Sequence, residues 1–156
     1  MSAPQPKLIL LMGIPASGKS TFASRHFADD CVRISLDALH TRKREARMFL
    51  DALAARRDIV VDNTNVTRDE RRRFIGPAKE AGYWITGYFL KSVLDECLRR
   101  NSLRTGKGRI PDVGVVSRFK ALELPDAGEG FDELYYVSME DGDFSIDEWR
   151  NGNEEE

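Results

Sequence analysis

The apolar run LILLM (8–12) ends directly in Gly13-Ile14-Pro15-Ala16-Ser17-Gly18-Lys19-Ser20, followed by Thr21. The spacing G-x-x-x-x-G-K-[ST] restricts the local fold severely: a buried strand must precede it and a helix must follow. The glycines let the backbone turn its N–H groups inward, and the helix N-terminus adds a partial positive charge. Such a ring of N–H groups is a cradle for phosphate. Within it, Lys19 reaches the outer phosphates of a nucleoside triphosphate, and the Ser20 hydroxyl is a ligand for Mg²⁺. Gly13 through Thr21 are therefore candidate nucleotide-binding residues.

Downstream, short apolar runs alternate with helix-length amphipathic stretches, the pattern of an α/β fold around a mostly parallel sheet. Five strands are expected, at 7–12, 31–35, 58–62, 83–90 and 133–139. A helix starts near Gly18, and a second covers 37–57 with Leu39, Phe49, Leu50 and Leu53 as core candidates. A third runs to about Ala81, where Thr67 and Glu70 form a capping box and Gly82 is the stop. Most of the arginines at 71–73 are expected in solvent. Further helices are expected over 92–100 and 111–122.

Charge divides the chain unevenly. Residues 1–120 hold 23 basic and 13 acidic side chains, whereas residues 121–156 hold 1 and 13. The body is thus +10 and the C-terminal part −12. The domain is expected at 7–140, with a flexible N-terminus (1–6) and a disordered acidic tail (141–156). The longest apolar run is far short of the roughly 20 residues of a membrane span, and MSAPQPK lacks the layout of a signal peptide. Cys31 and Cys97 stand apart and, with only His26 and His40, offer no metal-ligand spacing. A cytoplasmic protein with free thiols and no membrane association is expected.

Three other stretches carry chemistry. In RISLDALH (33–40), Asp37 follows the second strand, where a carboxylate faces the ligand crevice of such a sheet and can take the proton of an attacking hydroxyl. In VVDNTN (60–65), Asp62 ends the third strand, placed to hold a water of the Mg²⁺ shell or to orient an arginine. Asn63 and Asn65 read equally as substrate-facing groups or as turn residues satisfying local backbone. In RRNSLRTGKGRIP (99–111), Arg100 and Arg104 sit in a basic, glycine-containing loop. Its placement suits a lid whose arginines neutralise charge on a transferring phosphoryl group.

Taken in order, the phosphate loop, ISLDALH, VVDNTN with the following RRRF, RRNSLRTGKGRIP and EGFDELYYV resemble the kinase domain of polynucleotide 5′-kinases that heal broken nucleic-acid ends. The likeness covers about residues 7–138. It implies a P-loop NTPase fold with a five-stranded, mostly parallel sheet flanked by helices and an arginine-containing lid. It also implies ATP with Mg²⁺ and phosphate transfer to a 5′-hydroxyl of DNA or RNA. By position, Lys19 and Ser20 match the nucleotide-holding pair and Asp37 the general base. Asp62 matches the acid ending the third strand, and Arg104 and Arg100 the lid arginines. Some members carry an arginine three residues after the base; here that position is His40, with Arg42 and Arg44 nearby. A fused 3′-phosphatase would need D-x-D-G-T, and MEDGD (139–143) does not fit it. Two other classes remain open: a P-loop kinase for a small-molecule hydroxyl, and an ATP-binding regulatory protein without chemistry.

Overall fold

The computed structural model describes residues 5–27 and 30–150, apart from the side chains of Asp37, Ala38 and Lys107. KLILLM forms β1 (Lys7–Met12), and the loop after it opens α1 (Lys19–His26). The chain continues through β2 (Val32–Ile34), the single turn α2 (Leu36–Leu39), α3 (Arg42–Ala54), β3 (Ile59–Val61), α4 (Arg68–Glu80) and β4 (Trp84–Leu90). Then come α5 (Leu94–Ser102), α6 (Asp112–Ala121), β5 (Glu133–Glu140) and β6 (Asp143–Glu148). Short 3₁₀ turns at Gly106–Gly108 and Ala127–Glu129 lie in the two long connections.

The strands form one sheet in the order β2-β3-β1-β4-β5-β6, with β1 to β5 parallel and β6 antiparallel to β5. From the central β1 the chain moves out to β2 on one side and later to β4 on the other. The connections diverge there, and a crevice opens at the carboxyl ends of β1 and β3.

Side chains alternate across the sheet, so each central strand feeds two cores. On one face Leu8, Leu10, Ile59, Val61 and Ile85 pack beneath α3 and α4, where Phe49 meets Phe74 with ring centroids 5.0 Å apart. On the other, Ile9, Leu11, Val60 and Leu90 pack against Phe22 and Ala23 of α1. A third cluster joins Ile14 and Ala16 of the phosphate loop to Cys97 of α5 and Val115 of α6. No helix among the described residues is long and apolar enough to cross a membrane.

Several expectations need correction. The stretch 37–57 is not one helix: His40 takes a left-handed φ of 69°, and Thr41 recaps the chain by accepting a hydrogen bond from the Arg44 N–H at 3.1 Å. Leu50 is 57% exposed, because the buried stripe of α3 runs through Phe49 and Leu53 instead. Of the arginines at 71–73, Arg72 and Arg73 stand in solvent as expected of most of them, while Arg71 is fully buried. Gln5 and Pro6 are docked rather than free, the Pro6 carbonyl accepting from the Trp84 N–H at 2.9 Å. Residues 1–4 and 151–156 lie outside the described residues.

The sheet has six strands, because part of the expected tail forms β6. Asp141 and Gly142, at φ 51° and 82°, make the two-residue hairpin connection that suits this dipeptide. MEDGD therefore spans a hairpin, with Asp141-Gly142 as its turn. Across it, Phe144 leans on Phe22 of α1 with centroids 5.2 Å apart, while Trp149 meets Phe89 at 5.4 Å on the opposite face.

Candidate active site

The phosphate loop is held from both sides. The Gly13 N–H donates to the Thr64 carbonyl at 2.9 Å, and the Ile14 N–H to the Ser92 hydroxyl at 3.1 Å. Gly13 has φ 152°, and a Cβ there would stand 2.6 Å from Ser17 Oγ. Gly18, at φ 101°, forms the left-handed N-cap of α1, and a Cβ on it would meet Met139 Cε at 3.0 Å. The opening N–H groups of a helix have no partner within it. At the start of α1 the helix dipole therefore favours an anion. Lys19 Nζ donates to the Gly13 and Ile14 carbonyls at 2.9 and 3.0 Å, which holds the ammonium over the loop. The cradle fits a nucleotide's phosphates.

Ser20 Oγ donates to Asp62 Oδ2 at 3.0 Å. A hydroxyl whose proton is committed to a carboxylate presents its lone pairs to a cation, and both groups are the hard oxygen ligands that Mg²⁺ takes. No group of three or more His, Cys, Asp or Glu among the described residues could hold a metal. Ser20 and Asp62 supply two oxygens on the cleft that could hold a cation there. Asp62 is almost buried, and its Oδ2 also accepts from Arg33 Nη2 at 2.6 Å. Arg33 reaches the Ser20 carbonyl as well, at 3.4 Å. Sequence reading missed this residue. The sequence held no signal for it, since only the register opposite Val60 turns Arg33 toward α1.

Asp37 is the second residue of α2, and its side chain lies outside the described residues. The turn that carries it is fixed by Asn63, whose Oδ1 accepts from the Leu36 N–H at 2.8 Å. Asn63 Nδ2 in turn donates to Glu45 at 2.8 Å. Glu45 is buried at the start of α3 and also accepts from Arg42 at 3.1 Å and Arg73 at 3.3 Å. Asn65 does not face the cleft. It is buried with φ 46°, and its amide donates to the Leu11 carbonyl at 2.8 Å, so it closes the strand end rather than meeting a substrate. Thr64 accepts from Arg118 of α6 at 2.9 Å, and Arg118 also pairs with Glu70. Neither Glu45 nor Arg118 was anticipated.

The basic loop is stapled at its base by Asn101, which exchanges hydrogen bonds with Ile110 at 2.7 and 3.1 Å. Arg104 is exposed, bonds to the Gly108 carbonyl at 3.3 Å and overhangs the cleft. Arg100 instead braces the phosphate loop, donating to the Ala16 carbonyl at 3.2 Å. The cleft, of about 670 Å³, brings together Pro15, Ala16, Gly18, Lys19, Ser20, His40, Asp62, Asn63 and Arg104. Ile14 is core, while Ser17 and Arg100 line a pocket of about 50 Å³ beside it. Burial pushes the Cys97 thiol up against the opposing pull of Arg100 and Lys19, so it is no nucleophile at neutral pH.

The family described as AAA domain matches residues 8–123. The bifunctional polynucleotide phosphatase/kinase of Schizosaccharomyces pombe is 27% identical over 151 residues, covering 92% of this chain and 37% of that protein. The L-seryl-tRNA(Sec) kinase of Methanococcus maripaludis is 28% identical over 144 residues, covering 80% of this chain and 56% of that protein. The chain thus spans about a third to just over half the length of these relatives. Among solved structures, Chaetomium thermophilum Kti12 in complex with ADP-AlF3 superposes with a TM-score of 0.66 at 16% identity, covering 86% of this chain and 90% of that one. That likeness is one of fold.

Proposed function

The chain belongs to the AAA domain family, and on that premise we propose that it is a P-loop kinase transferring the γ-phosphate of ATP to the 5′-hydroxyl of a DNA or RNA end. The observation that carries this reading is the single cleft joining Lys19, Ser20 and Asp62 at one end to the α2 turn bearing Asp37 at the other, with Arg104 above. The similarity to a polynucleotide phosphatase/kinase supports the choice of acceptor.

The N–H groups opening α1 and the Lys19 ammonium hold the triphosphate. Mg²⁺, when bound by Ser20 with Asp62 acting directly or through water, would neutralise charge between the β and γ phosphates. The acceptor hydroxyl enters on the side of His40 and Asn63. As its oxygen bonds to the γ-phosphorus, its proton passes to Asp37 and the bond to the β-phosphate oxygen breaks. Arg104 closes over the transferring group, where negative charge spreads in the transition state.

The test is transfer of labelled γ-phosphate to 5′-hydroxyl oligonucleotides, nucleoside 3′-monophosphates and small alcohols. Labelling of the oligonucleotide 5′ end is expected. Efficient labelling of a small alcohol with every nucleic acid inert would replace this reading with a small-molecule kinase. That second reading is favoured by His40, which stands on the cleft where some polynucleotide kinases carry arginine.

A further inference from the structure

The helices α3 and α4 lie side by side, joined by the Phe49–Phe74 contact and the Arg73–Glu45 ion pair at 3.3 Å. Each follows the carboxyl end of a strand, so both begin at the cleft end of the sheet and run away from it. Lys43 and Arg44 occupy the first turn of α3, and Arg47 lies one turn on. All three are exposed, and none takes part in an ion pair among the described residues.

This arrangement is costly without an anion. A helix N-terminus already carries partial positive charge, so cations in the first turn are disfavoured, and adjacent cations repel one another. Glu45 does not relieve the outer three, since it is buried and bound by Arg42, Arg73 and Asn63. The ridge is also continuous with the reacting centre, because His40 and Arg42 line the cleft immediately before Lys43.

We propose that this outward face of α3, flanked by Arg73 of α4, is the track for the nucleic-acid strand leading away from the acceptor end. The terminal nucleotide enters the cleft with its own 3′-phosphate beside His40 and Arg42, and the phosphates beyond that one follow Lys43, Arg44 and Arg47. The inference rests on the nucleic-acid reading and extends it: affinity for a long acceptor is set outside the site of chemistry. A mononucleotide cannot reach the ridge.

The full chain carrying Lys43→Gln, Arg44→Gln and Arg47→Gln tests this. Because these side chains are outward and unpaired and repel one another, the melting temperature should equal or slightly exceed the parent's. The steady-state arms are kcat/KM for a 5′-hydroxyl 20-mer and for a nucleoside 3′-monophosphate, together with KM for ATP. Affinity for a 5′-phosphorylated 20-mer is followed by fluorescence anisotropy across salt concentrations. Loss of three phosphate contacts should make the slope of log K against log salt shallower by about 2, at about 0.7 ions per contact. Near 0.1 M salt the 20-mer should lose about 10- to 100-fold in affinity, while the mononucleotide and ATP stay within about twofold. Equal losses for 20-mer and mononucleotide, an unchanged slope, or tighter binding of an acidic peptide than of the 20-mer would overturn the proposal. If the parent phosphorylates no nucleic acid yet binds the 20-mer with a slope set by these residues, the track stands and the acceptor reading fails.

Discussion

Replacing Arg71 tests whether the site is held from behind by one buried ion pair. Arg71 has no exposed surface, and its Nε and Nη2 donate to the two oxygens of Glu129 at 2.8 and 3.1 Å. Its Nη1 donates to the Asn65 carbonyl at 2.9 Å, and Asn65 holds the end of β1 through Leu11. One side chain thereby ties α4, the loop after β3 and the turn before β5. Arg71→Ala leaves the Glu129 carboxylate, whose side chain is only 12% exposed, without its counter-charge. Breaking such a pair from one side costs about 3–5 kcal/mol. The orphaned Asn65 carbonyl carries a penalty of about 1–3 kcal/mol. The two do not add, because Glu129 can swing toward water once released. A net loss of about 3–5 kcal/mol, or about 10 °C in melting temperature for a chain of this size, is expected. Urea melts with unchanged m-values measure it. The companion variant, Arg71→Met with Glu129→Met, removes both charges and fills the space, and should recover most of the loss. A single variant within 1 kcal/mol of the parent, or a double variant no better than the single, refutes the reasoning.

Four further outcomes are expected. Asp37→Asn should keep ATP affinity within a few fold and lower kcat by about 10² or more, the scale of a positioned base; collapse of ATP binding in a titration would assign Asp37 a structural or metal-linked role. Arg104→Ala should reduce kcat more than ATP affinity, since a closing arginine acts on the transition state; a change confined to the oligonucleotide KM contradicts this. Arg33→Ala releases Asp62 toward the cation, so Mg²⁺ for half-maximal binding of a fluorescent nucleotide should fall about two- to fivefold, and an unaltered Mg²⁺ dependence counts against it. The hydrogen bond that Tyr135 donates to Glu133 pushes its phenol up to about 12, and burial pushes the Cys97 thiol up. Both groups therefore keep their protons longer folded than unfolded, so stability is whole below about pH 9 and declines as pH rises from there toward 12. A urea midpoint that stays flat across that window, or one that Tyr135→Phe does not flatten, removes this account.

What could be read in advance follows the range of the interactions concerned. The phosphate loop and the apolar β1, β3 and β4 were legible because local spacing and burial on both faces leave few other folds. The break at His40 was not, because the left-handed residue is neither glycine nor asparagine. The hairpin of β5 and β6 did carry a signal, in Asp141-Gly142 followed by Phe144 and Ile146 at alternate positions. The acidity of the segment hid it. Arg71 and Glu129 stand 58 residues apart, and Arg33 and Asp62 29 apart. Such pairs exist only once strand order and register place them together. Hence Lys19, Ser20 and Asp62 could be assigned to the cleft from sequence, whereas Asn65, Glu45 and Arg118 could not be sorted into bracing and substrate-facing groups.

The sixth strand also bears on how copies of this chain meet one another in concentrated solution. Among the described residues β6 ends the sheet, leaving one row of backbone N–H and C=O groups without a neighbouring strand. An open row of that kind is a template on which another chain can stack and from which aggregates grow. Here Asp143, Asp147 and Glu148 along the strand are exposed. Two such borders repel before their backbones can pair. The −12 charge of residues 121–156 thus includes a colloidal guard at the edge where the sheet would otherwise be extended.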